Sequence, residues 1–302
     1  MVLSEQKTHK PTFVLLFGAQ KAGTTWLWNH FAVQHQSLAG FDKEPHFLWH
    51  FSGHGQGAHH RGHCEALASE MQSYLTDDAT DERKHALRHA MHAVKASFSI
   101  PDYAAAFRWL AAATHKPVAD FTPENCLLRE WQLSRLRDVL KEHFDIKAVY
   151  VMRDPAERLL SWAKHVCLRT PIGAQDRRES LGLADVSPLE FAEQELQLLR
   201  AQQRSFSINH SRYDLTVTKL DSVFEDVKYL FYENMFQQEK VDELSHFIGA
   251  EPAPGRFDLR ANQDTSQYEF PENILGDLRR EFRDVYQFIQ SRFPDAPPEY
   301  HL

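Results

Sequence analysis

The sequence predicts an α/β fold of the P-loop type: three layers, with a central parallel sheet flanked by helices. Three observations predict it. Apolar or β-branched runs at Phe13–Phe17, Lys147–Met152 and Val227–Tyr232 alternate with amphipathic helical stretches, which implies crossover connections and parallel strands. The first run stops at Gly18 and gives way to a short glycine-containing turn and then a helical pattern, FVLLFGAQKAGTTWL, in the order strand, phosphate-sized loop, helix. The second runs directly into RDPAERLLSWAKH, where Asp154 suits an N-cap and Pro155 the first helical position.

Taken in order, residues 1–10 read as a flexible N-terminus. Trp26, Leu27, His30 and Phe31 recur as one face of a helix that returns to the first strand. Ser37–Phe41 reads as a second short strand, redirected at Pro45, and Gly53–Gly62 as a Gly- and His-rich loop. Cys64–Leu110 reads as helical, with a new start at Pro101 and Asp102. A strand follows over Lys116–Asp120, then Thr122 as N-cap with Pro123 at the first helical position, and a helix over Trp131–His143. Beyond the RDP helix, Arg169–Pro188 is a long loop. Helices over Pro188–Arg204, Tyr213–Phe224 and Met235–Ile248, the last stopped by Gly249, bracket the strand Val227–Tyr232. Glu251–Gln267 is loop, and a final helix runs over Pro271–Arg292. No repeat or linker is evident, so residues 1–302 are expected to form a single domain.

Composition narrows the function. A formal charge of −8 disfavours nucleic acid and anionic membranes as partners, so any anion site must be concentrated. Cys64, Cys126 and Cys167 show no C-x-x-C spacing, which argues against a disulfide framework or a cysteine zinc site. The polar N-terminus and the lack of a long apolar run predict no membrane insertion and a cytoplasmic location. His85, His89 and His92 share a helix face, but solvated histidines are commoner than a metal site, and no metal is expected. The six tryptophans, Trp26, Trp28, Trp49, Trp109, Trp131 and Trp162, are mostly core candidates, with Trp49 and Trp162 as candidate site walls.

The glycine spacing from Gly18 to Gly23 equals that of the Walker A motif, but Thr24 stands where a triphosphate-using loop needs lysine. That argues against a kinase or ATPase. Lys21 lies inside the loop instead, where its ammonium can lean over a bridging oxygen. Arg153 at a strand end and Ser161 two helical turns on supply a planar fork and a hydroxyl. Two anion sites at the carboxyl ends of neighbouring parallel strands suit a ligand with two separated phosphates. The competing reading of RDP is a salt-bridged helix cap.

Together, GAQKAGTTWL, KEPHF, FTPEN, RDPAERLLSWAKH and YLFYEN, spanning about Phe13 to Glu233, resemble the sulfotransferases that use 3′-phosphoadenosine 5′-phosphosulfate (PAPS). The resemblance implies that Lys21, Ala22, Gly23, Thr24, Thr25 and Trp26 hold the 5′-phosphosulfate, and that Arg153 and Ser161 hold the 3′-phosphate. KEPHF is similar to the KE-x-HFF element of the heparan-type glycan sulfotransferases and their soluble bacterial relatives, and this implies Glu44 as general base. His46 is the alternative base, since other branches use histidine; the alternative role for Glu44 is a salt bridge with Lys43. The implied reaction passes a sulfuryl group to a hydroxyl, less readily an amine, of a carbohydrate-like or small acceptor. Lys43, Asp120 and His165 are counted as substrate-side candidates.

The sequence departs from the heparan-type pattern at Phe121, where relatives carry a second lysine; Lys43 is the candidate substitute. Arg256 and Arg260 are candidates for a loop over the nucleotide. Two other functions compete: a P-loop nucleotide kinase, and a nucleotide-binding interaction protein without catalysis.

Overall fold

A computed structural model describes residues 10–48, 80–96, 99–168, 186–259 and 268–301. Strand β1 (Thr12–Leu16) leads through the glycine turn into α1 (Thr24–Trp28), which continues as a π-helical stretch, Asn29–Gln34. Helices α2 (Asp81–Lys95) and α3 (Ile100–Thr114) precede β2 (Val118–Phe121) and a 3-10 turn, Pro123–Leu127. Next come α4 (Glu130–Leu140), β3 (Asp145–Met152), α5 (Pro155–Leu168), α6 (Pro188–Arg200), α7 (Phe206–Asn209) and α8 (Tyr213–Val223). The chain ends with β4 (Val227–Phe231), α9 (Gln238–Ile248), α10 (Glu272–Glu281), α11 (Arg283–Arg292) and a 3-10 turn, Pro298–Tyr300.

The four strands form a parallel sheet in the order β2-β1-β3-β4. Every residue from Phe13 to Phe17 is at most 1% exposed, so both faces of β1 are covered, as a parallel sheet flanked by helices requires. Phe13 packs edge-on against Phe107 and Phe144, and Phe17 lies against Phe224. Because β2 lies on one side of β1 and β3 on the other, the turns leaving β1 and β3 diverge. That divergence opens a crevice at the carboxyl edge of the sheet, where ligands of such folds bind.

The expected strand over Ser37–Phe41 is only a single parallel bridge between Ala39 and Val118. Gly40 lies so close to Trp28 that an added Cβ would come within 2.6 Å of the indole, and the chain turns away there instead of extending the ladder. The expected C-terminal helix is two helices, broken at Phe282. This residue is fully buried beside Leu278, Val285 and Tyr286, so the break lets both segments bury their apolar faces. Thr122 does stand before a helical turn, but its hydroxyl donates to Asp120 Oδ1 (2.6 Å) and makes no cap bond. Gly53–Gly62, Trp49, Cys64, Arg260 and most of the long loop, residues 169–185, lie outside the described residues.

Candidate active site

Backbone bonds continue from β1 into the loop that follows it. Phe17 N–H bonds to Val149 O (2.9 Å), Ala19 N–H to Val151 O (2.5 Å) and Val151 N–H to Gly18 O (2.8 Å), so the ladder with β3 continues past the last residue of β1. Gly18 has φ +106°, and a Cβ there would meet Pro123 O at 2.8 Å, which is why no side chain fits. Gly23, at φ +87°, opens α1, and a Cβ there would meet Met235 and Tyr232. The first N–H groups of a helix have no carbonyl four residues back, and the helix dipole adds positive potential at the same point.

Arg153, at the end of β3, reaches back to this loop. Its Nη1 donates to Lys21 O at 3.3 Å, its guanidinium lies 4.8 Å from the Tyr232 ring centroid, and Nη2 is 3.7 Å from Glu157. The structure therefore brings Lys21 and Arg153 side by side. Ser161 lies two turns along α5, partly exposed, and Glu157, Ser161 and His165 recur at four-residue spacing on one face of that helix. His165 packs against Trp162, 5.7 Å between centroids.

Asp154 is the expected cap: its Oδ1 accepts from Ala156 N–H (3.0 Å) and Glu157 N–H (2.9 Å). It also anchors the C-terminal helices, since Tyr286 Oη donates to Oδ1 (2.8 Å) and Arg279 to Oδ2 (3.0 Å). Its own N–H donates to Glu233 Oε1 at 2.7 Å, while burial pushes the Glu233 carboxyl above the usual range. The cap role of RDP thus belongs to Asp154, and Arg153 takes no part in it.

On the β2 side, Glu44 and His46 flank Pro45 and both take left-handed backbone, φ 58° and 54°; Lys21 does likewise at φ 66°. Such geometry costs non-glycine residues of order 1–3 kcal/mol each and collects at functional sites. Glu44 is ion-paired with Lys43, so the salt-bridge role exists alongside whatever else Glu44 does. A second carboxylate, overlooked in the sequence, completes the group. Glu124 follows Thr122-Pro123 at the end of β2, is 6% exposed, accepts from Gln20 of the loop, and sits 3.6 Å from His46 Nδ1. One donor atom from each of Glu44, His46 and Glu124 lies within 4.8 Å of the others, a spacing that could also hold a metal ion. Lys43 and Gln20 already give the two carboxylates, Glu44 and Glu124, a donor each. The signal for Glu124 was its place directly after a strand end, and for Tyr232 the same.

Asp120 is not presented to a substrate. It is fully buried within β2, bound by Tyr103 Oη (2.8 Å) and Thr122, and burial raises its carboxyl while those bonds oppose the rise. Phe121 packs edge-on against Trp28. Trp26 is a wall behind the loop, sandwiched between His30 (5.1 Å) and Phe257 (5.7 Å), with its Nε1 donating to Arg256 O at 3.2 Å. The Arg256 side chain pairs with Asp258. His85, His89 and His92 converge on Trp109, with His92 stacked at 4.4 Å, so this face serves packing. Trp131, read as core, is 59% exposed.

No family model and no curated protein matches the sequence. Among solved structures, the chain is similar to one titled "Sulfotransferase Domain from the Curacin Biosynthetic Pathway". The identity is 16%, the TM-score is 0.47, and the match covers 82% of this chain and 76% of that one. A likeness at that level decides nothing about chemistry. Among the described residues, no helix is long and apolar enough to cross a membrane.

Proposed function

We propose that this protein transfers a sulfuryl group from PAPS to a hydroxyl acceptor. The observation that carries the reading is the contact of Arg153 with the Lys21 carbonyl. It joins two cationic positions at the ends of the adjacent strands β1 and β3, within reach of one nucleotide bearing two separated anionic groups. The donor set fits such a ligand. Lys21 lies in the loop and Thr24 and Thr25 open α1, while Arg153 with Ser161 offers a guanidinium fork and a hydroxyl.

When bound, PAPS supplies the sulfuryl group, and the products are a sulfate ester and adenosine 3′,5′-bisphosphate. The acceptor oxygen forms the new O–S bond as the bridging S–O bond on the nucleotide breaks. Glu44 takes the acceptor proton. Lys21 would lie at the bridging oxygen, where negative charge grows only as the bond breaks, so its ammonium would favour the transition state over the ground state. Glu124 holds His46 beside Glu44 and ties both to the phosphate loop through Gln20.

Calorimetry with adenosine 3′,5′-bisphosphate against ATP, and transfer of labelled sulfate from PAPS in the presence of chelator, test the reading. The bisphosphate should bind at least tenfold more tightly than ATP, without Mg²⁺, and transfer should persist in chelator. Preferential Mg²⁺-dependent ATP binding would replace it with a kinase. Bisphosphate binding with no transfer to any acceptor would leave a nucleotide-binding interaction protein.

A further inference from the structure

A cavity of about 180 Å³ lies between Leu48, the start of α3 and the first turns of α4, and nothing in the chemistry above uses it. Its walls are chiefly apolar, Leu48, Ile100, Pro101, Leu128, Trp131 and Leu136, with Ser99 and Gln132 as uncharged polar members. Arg135 is the one charged side chain among the described lining residues.

Topology puts this cavity at the catalytic edge of the sheet. Helix α3 ends three residues before β2 begins, so Ile100 and Pro101, at its other end, lie toward the carboxyl edge of the strand. Helix α4 starts just after the turn that leaves β2, which brings Trp131 to the same edge. Chain length gives an independent bound. Leu48 is four residues from Glu44 and Leu128 four from Glu124, so their Cα atoms lie within about 14 Å of those of the two glutamates even if the chain were fully extended.

From these positions we infer that the cavity is the acceptor subsite, and that the acceptor is an alcohol or phenol with an apolar body, one aryl ring or a short alkyl chain, rather than a sugar. The inference rests on the sulfuryl-transfer reading for the chemistry and on the cavity for the class. The volume sets the size: an apolar cavity of about 150 Å³ accepts benzene and stays dry otherwise. A sugar ring would bring several hydroxyls against Leu48, Ile100, Leu128 and Leu136. Of the polar lining side chains, Ser99 is already bonded to Asp102 and Gln132 accepts from Arg129 N–H, so they and Arg135 replace only part of the hydrogen bonding the sugar loses on leaving water. Trp131 fits the same role. Its exposed ring forms one wall of the cavity instead of joining the core, as a side chain kept for a ligand does.

The test uses two substitutions at exposed positions, Trp131→Ala to remove a wall and Pro101→Trp to fill the mouth. The first measurement is direct binding of 2-naphthol by calorimetry, which needs no turnover. Wild type should bind it, and both variants should lose at least tenfold in affinity while binding adenosine 3′,5′-bisphosphate unchanged. The second is sulfate transfer to 2-naphthol, 1-hexanol and methyl glucoside. The apolar alcohols should exceed the sugar at least tenfold in kcat/KM, and the variants should raise KM for them with kcat within about twofold. Failure of wild type to bind 2-naphthol, equal affinity in all three proteins, or preference for the sugar would overturn the inference. Naphthol binding without transfer to any acceptor would instead count against the sulfuryl-transfer reading and leave the subsite standing.

Discussion

On the β1/β3 side of the crevice, the groups that would meet a nucleotide are set by main chain: three ladder bonds hold the loop to β3, and the Arg153 guanidinium reaches a backbone carbonyl. On the β2 side, Glu44, His46 and Glu124 meet only through side chains, and two of the three stand on left-handed backbone. The first side resembles a fixed cradle, as a recurring nucleotide would need. The second can change its partners by changing a few side chains, so the fold constrains what it binds less tightly.

Substitutions separate the two sides by what they disturb. Glu44→Gln should show the largest effect, a fall in kcat of about 10²–10⁴-fold with nucleotide affinity intact, read by labelled-sulfate transfer and calorimetry. Retained turnover in Glu44→Gln with loss in His46→Ala would pass the proton-accepting role to His46. Lys21→Ala should lower kcat by about 10²–10³-fold, more than it weakens binding of the bisphosphate product. If weaker binding accounted for the whole defect, Lys21 would belong to the cradle alone.

Arg153→Ala should act in the opposite sense, weakening bisphosphate binding by about 10–100-fold through loss of charge-assisted bonds, with a smaller change in kcat at saturation. Glu124→Gln keeps the shape and removes the charge, and should lower kcat by about tenfold with nucleotide affinity unchanged. An effect confined to nucleotide binding would mean that Glu124 serves the loop through Gln20 and not His46.

The smallest effect concerns stability. His30 is stacked on Trp26 behind the loop, and burial, aided by His35, lowers its pKa to about 4. The unfolded chain therefore takes up this proton before the folded one does, so stability falls as pH drops from about 6.5 toward 4 and is unaffected above that range. In His30→Phe the acid-side fall in melting temperature between pH 7 and 4 should shrink; an unchanged profile would place the acid sensitivity elsewhere.

Much of the cradle was legible in the sequence because it depends on local chain geometry. A strand run, two glycines at fixed spacing and a helix start specify the turn at Gly18–Gly23, and Asp154-Pro155 specifies the start of α5. The β2 side was legible only as residue types. KEPHF named Glu44 and His46, but Glu124 lies some 80 residues away, and its contact with His46 exists only because β2 pairs beside β1. Asp120 illustrates the reverse: its type suggested a site residue, while its place within a fully buried strand makes it a partner of Tyr103.

The sequence by itself determined the α/β class, the order of most strands and helices, and the loop with its lysine and its later arginine, because periodicity, glycine spacing and cap chemistry act over a few residues. Tertiary structure alone decided that Ser37–Phe41 makes a single bridge, that the last helix breaks at Phe282, that Trp131 stays exposed, and that Lys21 and Arg153 adjoin while Glu124 joins Glu44 and His46. Those outcomes depend on which distant surfaces pack together, and no local pattern carries that information.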